Sequence, residues 1–169
     1  MGLFEKEFEF KGKHATYCRF LKDNGIISTF RDVYLISSVI GFLNGAKADI
    51  DNEKDEDKKV QSASIMATEL TQQKENLTFM YRIIMLLDDK PGFSIQDYQN
   101  RAFRDDADDE HPEKLKENME LFNSYVRGGL EILYDKFKDC EDVNDYSNTL
   151  YELVNDFAED NGLAVENFN

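Results

Sequence analysis

Apolar side chains return every three or four residues over most of this chain, the period of α-helices with one face in a core. The run Lys13–Lys22 gathers Tyr17, Cys18 and Leu21 on one side and stops at Asn24-Gly25. Thr29 is placed to cap a second helix reaching about Asn44, and there Val33, Leu35, Ile36, Val39, Ile40, Phe42 and Leu43 nearly encircle the axis. A helix apolar all round belongs at the centre of a bundle. From Ser62 or Ser64 to Asp88 the positions Met66, Leu70, Gln73, Leu77, Met80, Ile84 and Leu87 alternate steps of four and three. That is a heptad seam with one polar interruption, and it predicts a single long helix. Ser94 caps a short helix holding Ile95, Tyr98, Ala102 and Phe103; Pro112 opens a long one to Phe137; Val143–Asp160 forms the last, with Val143, Tyr146, Leu150, Leu153 and Phe157 inward.

Residues 7–10 alternate polar and apolar, but one strand alone makes no sheet. Residues 1–11 are therefore read as an extended arm docked by Phe8 and Phe10, residues 46–61 as an acidic loop, and residues 161–169 as a flexible tail. The expected fold is all-α: one domain over residues 1–169, a compact bundle of about six helices with the second helix central and the arm at its N-terminus.

Gly128 and Gly129 lie within the apolar face of the Pro112–Phe137 helix, and the periodicity runs through them undisturbed. Each costs roughly 1 kcal/mol against alanine in a helix interior. The second helix carries its own small strip, Ser37, Ser38 and Gly41, so a close crossing of the two helices is the expected compensation.

Net charge is −15. Lys6, Lys11, Lys13, Arg19, Lys22 and Arg31 outweigh Glu5, Glu7, Glu9 and Asp23 in the first 31 residues, so the acidity belongs to the rest. An acidic body repels phosphate and favours a basic protein partner; contact with nucleic acid is left to one basic face, Lys11, Lys13, Arg19 and Lys22. Self-association stays open. Cys18 and Cys140 have no metal spacing and are read as reduced thiols. The N-terminus lacks the apolar core of a signal peptide, and Lys6 breaks the myristoylation pattern. No stretch has the length of a membrane span, so the expected compartment is the cytoplasm.

Candidate chemistry is sparse. Asp49–Val60 has acids where a calcium loop begins, but Lys54 replaces its glycine and Val60 its last glutamate. His14 and His111 lack the Glu-x-x-His spacing of a di-iron bundle. His14 and Cys18 share a helical face, but core packing accounts for them more simply. No catalytic residue, metal site or cofactor is assigned. Arg82 and Arg127 stand in apolar sequence, with Arg101 and Arg104 around Phe103; buried arginines need carboxylates, and Asp32, Asp88 and Glu131 are the candidates.

The stretches FMYRIIMLLDD, RAFRDD and ELFNSYVRGGLEILYDKF resemble small bacterial all-helical accessory proteins encoded near phage-defence or DNA-processing genes. The resemblance implies an accessory role and no catalytic residues. With it, the expected function is a non-enzymatic adaptor subunit docking on a larger, DNA-acting or anti-phage assembly, with Phe4, Phe8, Phe10, Tyr125 and Tyr134 as contacts. Two alternatives remain: an acidic DNA mimic that blocks a DNA-binding enzyme, and an enzyme whose site lies around Arg82 and Arg127.

Overall fold

In the computed structural model, which describes residues 2–52 and 63–162, the elements run β1 (Phe8–Phe10), α1 (Gly12–Asp23), α2 (Phe30–Leu43), β2 (Ala63–Ile65), α3 (Ala67–Gln72), α4 (Lys74–Leu87), α5 (Ile95–Phe103), α6 (Pro112–Phe137) and α7 (Val143–Asp160), with a 3-10 turn at Asp105–Ala107 before α6. The fold is all-α apart from one two-stranded ribbon.

The crossing of α2 and α6 organises the rest. Thr29 caps α2 by accepting from the Asp32 amide at 3.1 Å. The inward face of α2 is Val33, Tyr34, Ser37, Ser38 and Gly41, and α6 meets it with an unbroken buried run from Tyr125 to Leu130. At α6's 26 residues and ~1.5 Å per residue, it is about 39 Å long and spans the molecule. A Cβ on Gly129 would fall on the Ser37 carbonyl and 2.6 Å from the Gly41 nitrogen; one on Gly41 would fall on the Tyr125 carbonyl. Gly128 has another neighbour. Its Cβ would stand 2.9 Å from the Lys47 nitrogen, because the chain leaving α2 is laid across α6 and held there by Ala48 N–H donating to the Ser124 carbonyl at 3.0 Å.

Three expectations are corrected. The N-terminal segment does find a partner strand: Phe8, Glu9 and Phe10 pair antiparallel with Ile65, Ser64 and Ala63. Ala63 and Ile65 are buried on one face, so Ser64 opens no helix. The expected long helix is therefore shorter and broken. It starts after Met66, whose amide donates to Glu69 Oε2 at 2.9 Å, and it turns at Gln73, with φ −109° and ψ 15°. A straight rod would drive the Gln73 amide into the seam between Leu70 and Leu77. The turn leaves it half-buried with Oε1 accepting from Asn76, while both leucines stay in the core. Third, α2 is central in its packing, against α1, α4 and α6, but not enclosed. Its small residues point inward, and Ile36 and Leu43 are exposed.

The parts of the expected acidic loop and tail at 53–62 and 163–169, most of the Asp49–Val60 stretch and the Ser62 cap lie outside the described residues.

Candidate docking surface

The arm residues do not offer themselves to a partner. Phe4 and Phe10 are buried and Phe8 half-buried, in an aromatic cluster with Tyr34 and Phe122: Phe8 to Tyr34 at 4.6 Å, Phe4 to Phe122 at 5.4 Å. Tyr125 is buried against Phe42, and its hydroxyl donates to Asp88 at 2.6 Å. Half-buried Tyr134 stacks on Tyr17 at 3.8 Å, fastening α1 to α6. The aromatic positions expected as contacts thus build the core and its seams. Sequence alone cannot separate the two uses, because both call for large apolar side chains.

The ion pairs also fall differently. Asp88 binds Lys47 at 2.5 Å and faces Arg101 at 3.6 Å. Glu131 takes Lys13 at 2.8 Å and His14 at 2.9 Å. Burial pushes the Glu131 carboxyl up, but the hydrogen bonds from Lys13 and His14 outweigh it and leave the group below its ordinary value. Buried Arg127 pairs with Glu120 and donates to the Ala48 carbonyl at 2.8 Å, so its carboxylate comes from its own helix and from none of the three candidates. Asp32 serves the α2 cap, accepting from Thr29 Oγ1 at 2.7 Å, with Arg31 beside it. Arg82 has no carboxylate partner among the described residues; its guanidinium lies over the Phe103 ring at 5.3 Å, and Arg104 is exposed. The basic face is divided. At ~100° per residue Lys13 lies far round α1 from Lys22, and it is tied to Glu131 while Lys22 lies over Phe30.

Arg127 and His14 line a cavity of about 200 Å³, away from the Phe103 ring that holds Arg82. Burial lowers the His14 pKa against the pull of Glu131, so the ring is neutral and its Nε2–H donates to the carboxylate. Cys18 is fully buried, and burial pushes its thiol up to about 12, which removes it as a nucleophile at neutral pH. Half-exposed Cys140 lies 3.3 Å from the Thr149 hydroxyl. A disulfide-exchange reagent is therefore expected to titrate Cys140 alone in the native protein and Cys18 only after denaturation; prompt native reaction of both would contradict the burial. No group of three or more His, Cys, Asp or Glu among the described residues could hold a metal ion, and no helix among them is long and apolar enough to cross a membrane.

Among the described residues, apolar side chains stay exposed in stripes on α7 and α4. Asp142 caps α7 by accepting from the Asn144 and Asp145 amides. α7 rests on the body through one edge, with Tyr146 against Phe20 and Leu153 against the core, and only Ala158 is buried on it. Val143, Leu150 and Val154 follow each other at helical spacing on the adjoining face, with Phe157 and Tyr151 flanking them. Val143 is 75% exposed and Val154 56%. Asp145, Glu152, Asp156 and Glu159 take the far arc, and no Lys or Arg occurs anywhere after Lys138. A second apolar stripe lies on α4, where Phe79 and Leu87 are exposed with half-buried Ile83 between them. Helical periodicity marks all these residues as apolar. It cannot say which of two apolar arcs a helix turns inward, so sequence reasoning assigned Val143, Leu150 and Phe157 to the core. The missed signal was the breadth of the α7 arc, from Leu153 round to Tyr151, more than a helix packed along one edge can cover. Compared with family models, curated proteins and solved structures, the chain matches none.

Proposed function

We propose that the protein is a non-enzymatic accessory subunit that docks on a basic protein partner through the open face of α7, within a larger assembly of the DNA-acting kind. The observation that carries this reading is the apolar strip Val143–Leu150–Val154 on a helix whose only charges are negative. Contiguous exposed apolar surface on a folded domain marks interaction sites. The surrounding carboxylates select the partner: acids within about 10 Å of the contact, the screening length at 0.1 M salt, favour Lys and Arg on the other side and slow the approach of acidic proteins. The same acids oppose insertion into an anionic membrane surface, where amphipathic helices carry Lys and Arg. A DNA mimic needs carboxylates at the centre of its contact, whereas the centre here is aliphatic.

The test is site-specific photo-crosslinking from position 151, beside the strip, in the native host. The expected adduct is one protein joined at an apolar segment flanked by Lys or Arg. Val154→Asp is expected to abolish the adduct and to leave the melting temperature within about 2 °C of wild type, because a surface substitution is usually worth less than 0.5 kcal/mol. Crosslinking that survives Val154→Asp, or that maps to an acidic partner segment, would overturn the reading.

A further inference from the structure

Independently of any partner on α7, we propose that the cavity between the N-terminal segment and the start of α6 binds a small organic cation, an ammonium head on an apolar body. The cavity measures about 390 Å³, within the range of pockets that enclose small ligands. The N-terminal segment forms one side. Phe4 adopts a left-handed backbone with φ 57°, an uncommon conformation for a non-glycine residue, and this turns its ring down onto Tyr34 and Phe122 while the chain continues along the cavity to Phe8. Half-buried Phe8 gives the cavity its aromatic side, backed by Phe4 and Tyr34, whose buried rings lie edge-on or tilted behind it. An aromatic ring placed in this way attracts quaternary and alkylated ammonium groups through its quadrupole, and a desolvated contact contributes more than an exposed one.

The charged rim sets the sign of the head group. Several carboxylates are already engaged: Asp105 accepts from Asn118 at 3.1 Å, and Asp108 from His111 and Lys114. Glu7 and Asp106 also line the cavity and have no hydrogen bond or ion pair with any described residue. These two are the carboxylates open to a ligand. Among the described residues Lys6 and Lys116 are the cations on the lining, outnumbered by the acids there, so the field inside favours a positive guest. Apolar wall, unpaired carboxylates and a volume for about one aryl or short alkyl group together describe an amine or trimethylammonium compound better than a carboxylate or a neutral alcohol.

Three probes with one benzyl body separate the cases: benzyltrimethylammonium, benzyl alcohol and phenylacetate, each titrated into the full chain and followed by amide and methyl chemical shifts. Benzyltrimethylammonium is expected to bind at least 10-fold more tightly than either of the others, with shifts at Phe8 and the Met119 methyl. Glu7→Gln combined with Asp106→Asn is expected to weaken it about 10-fold with no change in melting temperature. Phenylacetate binding as tightly as the cation, shifts confined to α7, indifference to the double substitution, or no binding of the cation would each overturn the proposal. None of these outcomes touches the crosslinking result at α7, so the two readings fail separately.

Discussion

Gly129→Ala is expected to destabilise the protein by about 3 kcal/mol or more, although the same exchange stabilises an isolated helix by roughly 1 kcal/mol. The sign reverses because of what a methyl group meets. At Gly129 it runs into the Ser37 carbonyl and lies 2.6 Å from the Gly41 nitrogen. Both are main-chain atoms of the facing helix, so no side chain can rotate away. The helices must part, and contacts spanning the crossing weaken together: the Tyr34 hydroxyl on Asn123 at 2.7 Å, the Ala48–Ser124 backbone bond and the packing of Val33 and Val126. Gly25→Ala is the control. Gly25 has a positive φ, +70°, but nothing within 4 Å, so its substitution bears only the left-handed penalty of about 1 kcal/mol. For a chain of 169 residues, at about 2–4 °C per kcal/mol, the crossing variant is expected to melt roughly 10 °C lower. Urea denaturation of the two variants beside wild type decides it. A Gly129→Ala protein as stable as wild type would mean that the two helices do not depend on bare backbone.

That crossing was the most legible part of the sequence. Two glycines in phase with an apolar stripe, and a Ser-Ser-x-x-Gly strip on a second helix, point to close backbone contact, because each glycine has a known cost that packing must offset. Helix positions were legible for the same local reason: Thr29 and Ser94 accept from amides of their own first turn, and Pro112 stands in a first turn, where its missing N–H costs nothing. Non-local pairing was not. Whether Phe8–Phe10 is an arm or a strand depends on Ala63–Ile65, more than 50 residues away, and period-2 alternation over three residues is too short to announce a partner. The ion pairs were half legible. That Arg127 needs an acid follows from its surroundings, but its acid, Glu120, sits seven residues back on the same helix, while Asp88 is held by Lys47 and Arg101 from elsewhere in the chain. The exposed apolar face of α7 was the least legible, since an uncovered apolar arc has the same composition as a covered one.

Asp88→Asn carries an expected effect of comparable size, about 3–5 kcal/mol at neutral pH, through an uncompensated buried charge. Asp88 sits at the C-terminal end of α4 with 7% of its surface exposed. Arg101, 3% exposed, reaches from α5 to donate from Nε to the Met85 carbonyl at 2.9 Å and from its terminal nitrogen to the Asp88 carbonyl at 2.8 Å, acceptors left open where α4 ends. The guanidinium stays because the Asp88 carboxylate lies beside it, and that carboxylate also receives Lys47 and the Tyr125 hydroxyl, joining α5, α6 and the segment after α2 at one point. Asparagine keeps the shape and an acceptor for Tyr125 but removes the charge that balances Arg101. The pH dependence distinguishes this from simple misfit. Burial pushes the Asp88 carboxyl up, yet the hydrogen bonds from Lys47 and Tyr125 and the charges of Lys47 and Arg101 outweigh it, so its folded pKa lies below the ordinary value. A carboxylate depressed in the folded state contributes stability above its unfolded pKa of about 4 and loses it as pH falls through the folded value. The gap between wild type and Asp88→Asn is therefore expected to be widest near pH 7 and to narrow below about pH 4, in paired urea titrations at the two ends. A gap of constant size would assign the loss to shape instead of charge, and remove Asp88 as the electrostatic tie between α4, α5 and α6.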